Sequence, residues 1–143
     1  MNKLSDYSTV FLPHLKLSDF SPETLANIAG LYCRLCRALD GFWYLVVKET
    51  LGNEKALACD RKLWAMFCQY EMAKITKQLN IQGNDIVALM KALQLEPLFQ
   101  ETKFEIELVN NNNAIFTVTY CPILVALEKE GEGRENEICK TVE

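Results

Sequence analysis

Cys121 is the residue best placed to do chemistry. It ends a stretch of alternating apolar residues and is followed by Pro122. Proline suits the first turn of a helix, so the thiol is expected where a strand gives way to a helix. A thiol there faces free backbone N–H groups and the positive end of the helix dipole, which favour a thiolate nucleophile. Its alternative role is a small buried capping residue. The only histidine, His14, lies in the N-terminal leader, so no histidine base can be assigned to Cys121. A lone histidine builds no histidine metal site and reads as a surface or packing residue.

Asp40 and Asp60 each interrupt an apolar stripe. A carboxylate in such a place must find a donor or take up a proton. If the two surrounding helices form a hairpin turning near residues 51–52, Asp60 stands level with Trp43, and Asp40 with Leu63 and Trp64. Each acid could then accept the indole N–H of the opposite helix. One reading is a reciprocal clamp that sets the register of the helices. The other is a pair of acids lining a pocket walled by Trp43 and Trp64. Arg37 and Arg61 flank the acids, either as alternative partners or as a clamp for a carboxylate ligand. Glu71, eleven residues after Asp60, extends the same helix face and is expected to approach the same site. Carboxylates without histidine are a weak metal signal, so no metal is assigned, and the residues name no cofactor.

The other thiols read differently. Cys33 and Cys36 form a CxxC in mid-helix, whereas a redox pair normally sits at a helix start and a structural zinc needs four ligands. They read as buried packing thiols, and Cys59 and Cys68 as core residues. Cys139, eighteen residues after Cys121, is a candidate second thiol, as a resolving partner or co-ligand.

Helices must position these groups. Ser21-Pro22-Glu23 is a helix start. Leu25, Ile28, Tyr32, Leu35, Leu39, Phe42 and Val46 then recur in three- and four-residue steps, with Ala29, Cys33, Cys36, Asp40, Trp43 and Val47 as a second stripe. An arc that wide predicts burial on two sides. Gly41 inside it suggests a kink or a close helix contact. Gly52 and Asn53 predict a C-terminal stop and an N-cap, and a second helix runs to about Leu79. A short third helix spans Asp85 to Leu93. From Lys103 the period drops to two, which predicts a β-hairpin turning at Asn110–Asn113, with Phe116, Val118 and Tyr120 on its apolar face. A short helix follows Cys121, and the charged end from Glu128 is expected to be mobile.

This is an α+β pattern in one domain of 143 residues. The helical part covers about residues 21–95, the β-hairpin about 103–120, and a C-terminal helix with a mobile tail 121–143. A net charge of −4, with fifteen scattered Lys and Arg, argues against nucleic acid. The first twenty residues lack the apolar run of a signal peptide, and no window is long and apolar enough to cross a membrane. Six cysteines without an export signal read as reduced thiols in the cytoplasm.

Leu39-Asp40-Gly41 with Trp43, then Gly52, Ala56, Asp60 and Trp64, form a wider pattern with Lys91-Ala92-Leu93, the hairpin, Tyr120-Cys121-Pro122 and Cys139-Lys140. Over about residues 22 to 143 it resembles uncharacterised cytosolic bacterial and archaeal proteins grouped near the L-2-amino-thiazoline-4-carboxylic acid hydrolase-like proteins. The resemblance implies an α+β fold and a hydrolytic relative, with Cys121 and Cys139 as the thiols to watch. Two departures stand out. Those proteins often carry an arginine near positions 72–74, where this chain has Lys74. They also continue beyond the second cysteine, so this chain is expected to be a C-terminally truncated form whose hairpin lacks neighbouring strands.

Two functions follow. One is a cysteine-containing, hydrolase-like site for a small carboxylated or sulfur-containing molecule. The other is a non-catalytic ligand-binding or interaction module that meets a partner or forms a homo-oligomer.

Overall fold

The computed structural model describes residues 3–141. Helix α1 (Pro22–Leu51) starts as expected: Ser21 Oγ accepts the Thr24 N–H at 3.1 Å, and Pro22 fills the first helical position. It runs thirty residues without a break. Gly52 alone separates it from α2 (Asn53–Gln78), at φ +90°, where a side chain would be strained. So short a link folds α2 back along α1. Asn53 does not cap α2. Its side chain accepts the Tyr44 hydroxyl at 2.9 Å and donates to Glu137 at 3.1 Å. The expected close helix contact at Gly41 is absent, since a Cβ there would meet nothing within 4 Å.

Asp85 caps α3 (Ile86–Leu93), accepting the Ala88 N–H at 3.0 Å. Glu96 caps the 3-10 turn Pro97–Glu101 in the same way. Strands β1 (Lys103–Asn110) and β2 (Asn113–Tyr120) pair antiparallel, with Phe104 opposite Val118 and Ile106 opposite Phe116. At the turn, Asn110 Oδ1 accepts the Asn112 N–H at 2.9 Å. Only the middle of the apolar face is covered; Val118 and Tyr120 remain exposed. Phe99 joins Phe104 and Phe116, whose rings stack at 4.9 Å, and so ties the hairpin to the 3-10 turn. Glu101 then ties that turn to α1 through Arg34 and Arg37. Helix α4 (Pro122–Glu130) follows β2 directly, and α5 (Glu135–Thr141) closes the described chain. The result is the α+β fold expected, with a long helical hairpin, one β-hairpin and a short C-terminal helix, to which α5 is an addition.

Three expectations need correction. The charged tail is not loose: Arg134 and Ile138 are buried, and Ile138 shares the core with Tyr44, Ala56 and Leu127. Helix α1 is not buried on two sides. The stripe through Cys33, Cys36, Asp40, Trp43 and Val47 faces inward, while Tyr32, Leu35, Leu39, Phe42 and Val46 lie exposed. The chain's helices can cover only one face of α1. Cys59 and Cys68 are exposed rather than core residues, although Cys68 also borders a cavity.

The packing of α5 is testable. Ile138→Ala removes a buried branched side chain, so it should cost about 2–4 kcal/mol in urea unfolding monitored by circular dichroism. A change within about 0.5 kcal/mol, as at ordinary surface positions, would mean that α5 is not docked.

Candidate functional site

A cavity of about 610 Å³ lies between the helical hairpin, α3, the 3-10 turn and the C-terminal helices. Its wall includes Asp40, Asp60, Trp64, Glu71, Cys121 and Cys139. Six residues singled out by type and spacing therefore meet on one space. Trp43, Arg37 and Arg61 do not line it. Trp43 packs against the core cluster, Arg37 is paired with Glu101, and Arg61 is exposed on the surface of α2. His14 is also exposed and away from the wall.

For Asp60 the expected partner Trp43 is replaced by a local one. Trp64 stands one turn along the same helix from Asp60, on the same face. Burial pushes the Asp60 pKa up, and the Trp64 indole N–H and the Arg134 charge oppose that rise. Asp60 Oδ1 is buried without a hydrogen-bond partner among the described residues. Glu71 shares the inward face of α2, but eleven residues of helix rise about 16 Å. The two acids therefore serve opposite ends of the cavity rather than one point.

At one end stands Glu71, beside Glu96. Glu96 Oε2 accepts the Phe99 N–H at 2.9 Å, and the Leu98 N–H also favours its charged form. These donors commit Glu96 to the acceptor role. Glu71 Oε2, also buried, meets no donor among the described residues. The pair is therefore best satisfied when Glu71 holds a proton and donates it to Glu96. Burial, and next the Glu96 charge, push the Glu71 pKa up to about 7. Burial raises that of Glu96 as well.

At the other end Arg134 lies over the Tyr44 ring, 4.7 Å from its centroid. Its Nε and Nη2 donate to the two oxygens of Glu130 at 2.7 and 2.9 Å. Neither Glu96 nor Arg134 was picked out from sequence. The signal for Glu96 was its place before Pro97, an acidic cap ahead of a first-turn proline. For Arg134 it was the four-residue spacing to Glu130 and to Ile138.

Cys121 occupies the expected place. It is the N-cap of α4, and its Sγ accepts the Leu124 N–H at 3.4 Å. The CxxC thiols behave as packing groups. Burial, reinforced by nearby acids, pushes the pKa of Cys33 and Cys36 up. Among the described residues, no group of three or more His, Cys, Asp or Glu is arranged to hold a metal ion. None of the described helices is long and apolar enough to cross a membrane.

A model for a family of unknown function, DUF6125, matches residues 18–143. The chain belongs to this family. The matched stretch contains every cavity residue named above. No curated protein and no solved structure matches the chain.

The acid pair sets the direction of a pH effect. Folded Glu71 keeps its proton up to about pH 7, whereas an unfolded glutamate loses it near 4.5. Between those values the native state holds more protons, so stability falls as pH rises. Glu96 and Asp60, also raised, act with the same sign. The urea midpoint should be lower at about pH 8 than at about pH 5.5. Glu71→Gln, which keeps a donor facing Glu96, should remove much of that difference. An unchanged pH profile in the variant would show that Glu71 and Glu96 do not share a proton.

Proposed function

We propose that the chain is a small-molecule protein of hydrolase-like type, with its site in the cavity between the helical hairpin and the C-terminal helices. The observation that carries this reading is the convergence of Cys121, Asp60 and the Glu71–Glu96 pair on one largely apolar space. Buried carboxyls with raised pKa values, here Asp60, Glu71 and Glu96, in such a cavity support a catalytic or binding role. A carboxyl that exchanges its proton near pH 7 suits general acid–base work.

In the catalytic form of the reading, Cys121 Sγ adds to an electrophilic carbonyl carbon. The leaving group departs with the proton that the thiol gives up. Water then cleaves the thioester, releasing the acid and restoring the thiol. Asp40 and Asp60 are wall acids, Trp64 gives an aromatic surface, and Cys139 is a second thiol on the same wall. The resemblance to the aminothiazoline-carboxylate hydrolase-like proteins agrees with this class of reaction. At about pH 7, iodoacetamide should label Cys121 faster than the exposed Cys59, read by peptide mass spectrometry. A slower rate at Cys121 would remove it as the nucleophile.

A separate observation favours the interaction reading, with a second copy of the chain as the partner. Ile28, Tyr32, Leu35, Leu39, Phe42 and Val46 alternate in steps of four and three, the repeat of a coiled-coil seam. Leu31 and Leu45 flank it, and none of the eight carries a charge, so two copies meet without like-charge repulsion. Exposure along the seam reaches 69% at Leu39 and 66% at Phe42. At about 150–250 Å² for a large side chain, the exposed area comes to roughly 800 Å², the share of one partner in a standard interface. A two-fold axis across the seam makes it self-complementary. Sedimentation should show a dimer that Leu39→Glu converts to a monomer of unchanged helicity. A wild-type monomer at high concentration would assign the seam to some other partner.

A further inference from the structure

Glu71 is 7% exposed and Glu96 5% exposed, on the wall of a cavity whose neighbouring residues there are Met72, Leu89, Leu93 and Phe99. Two carboxyls together in so apolar a place need positive charge or a proton between them. Glu96 is supplied by the backbone of the 3-10 turn. Glu71 is not: its Oε2 is buried and meets no donor among the described residues. Among the described residues the wall offers four carboxyls, Asp40, Asp60, Glu71 and Glu96, against one guanidinium. That guanidinium, Arg134, is already bound through two nitrogens to Glu130. Arg134 acts on Asp60, about 16 Å of helix from Glu71. Among the described residues, nothing cationic on the wall therefore serves the Glu71 end.

We infer that the Glu71–Glu96 end of the cavity binds a protonated amine carried on a small apolar body. The ammonium takes the place of the shared proton and donates to Glu71 and Glu96 together, while the body lies against Leu89, Leu93 and Phe99. An ammonium suits this place because it has three donors and no acceptor, and the pair lacks donors only. Replacing one proton by one monovalent cation leaves the buried charge unchanged, so the exchange adds no unpaired charge to the cavity. A carboxylated ligand at this end would meet like charge, so the chemistry turns away from the carboxylate expected from Arg37 and Arg61, neither of which reaches the wall.

The inference rests on the cavity being a small-molecule site, and three probes of one shape separate the two claims. 2-Phenylethylamine, 2-phenylethanol and 3-phenylpropionate share the ring and differ in charge. Binding is read by calorimetry at neutral pH. The amine should bind at least about tenfold more tightly than the alcohol, about 1.4 kcal/mol, and the carboxylate most weakly. Glu71→Gln should remove the preference for the amine over the alcohol, with circular dichroism showing that the variant is folded. If amine and alcohol bind equally, or if the variant keeps the preference, the amine inference is overturned and the cavity reading stands. If none of the three binds, the cavity reading falls and the inference with it.

Discussion

Arg134 holds the molecule's two halves in register. Its guanidinium grips Glu130 at the end of α4 and lies over the ring of Tyr44 on α1. The Tyr44 hydroxyl donates to Asn53 at the start of α2, and Asn53 donates to Glu137 on α5. The corner of the helical hairpin is thus bound to both C-terminal helices through one buried cation and its neighbours. Beside that tie, α4 and α5 are held over the hairpin by the apolar contacts of Leu127 and Ile138 and by the ion pair of Lys48 with Glu132. A buried arginine with one nitrogen unpaired, Nη1, is costly in isolation. It is tolerated here because the bidentate carboxylate and the aromatic face replace most of its hydration.

The cavity exists because the molecule is fastened at both ends and not along its middle. At the far end Glu101 binds Arg34 and Arg37 of α1, and Glu96 meets Glu71 of α2 across the 3-10 turn. Between these fastenings the apolar side chains of α3, α4 and the hairpin do not fill the space against α2. The acids lie where water is scarce but donors are few. That combination keeps a proton on Glu71 near neutral pH and leaves Asp60 at the other end with only partial compensation.

The elements were legible because their signals are local. The Ser21 cap, the Gly52 break, the change of period at Lys103 and the asparagine turn each depend on a few neighbouring residues. Cys121 at a helix start was legible for the same reason. Asp60 meets Trp64 rather than Trp43 because level placement in a hairpin says nothing about side-chain direction, and an indole four residues away on the same helix is nearer. The tail was misjudged because composition weighs its many charges equally. It does not register that Ile138 and Arg134 fall on one side of a short helix. Arg37 was misassigned because its partner, Glu101, arrives from a turn sixty-four residues later.

By itself, the sequence determined which segments are helix and strand, where they break, and which residues carry unusual groups into apolar surroundings, since propensity, capping and periodicity act over one or two turns. Only the tertiary structure decided which apolar stripe of α1 is covered, that Glu71 meets Glu96 instead of Asp60, and that the C-terminal helix closes the cavity. Those outcomes depend on contacts between residues far apart in the chain, where a carboxylate's partner is set by which backbone N–H or side chain the fold brings beside it. Cys121 at a helix start was visible as a residue; the acids that share its cavity came together only once the chain had closed around them.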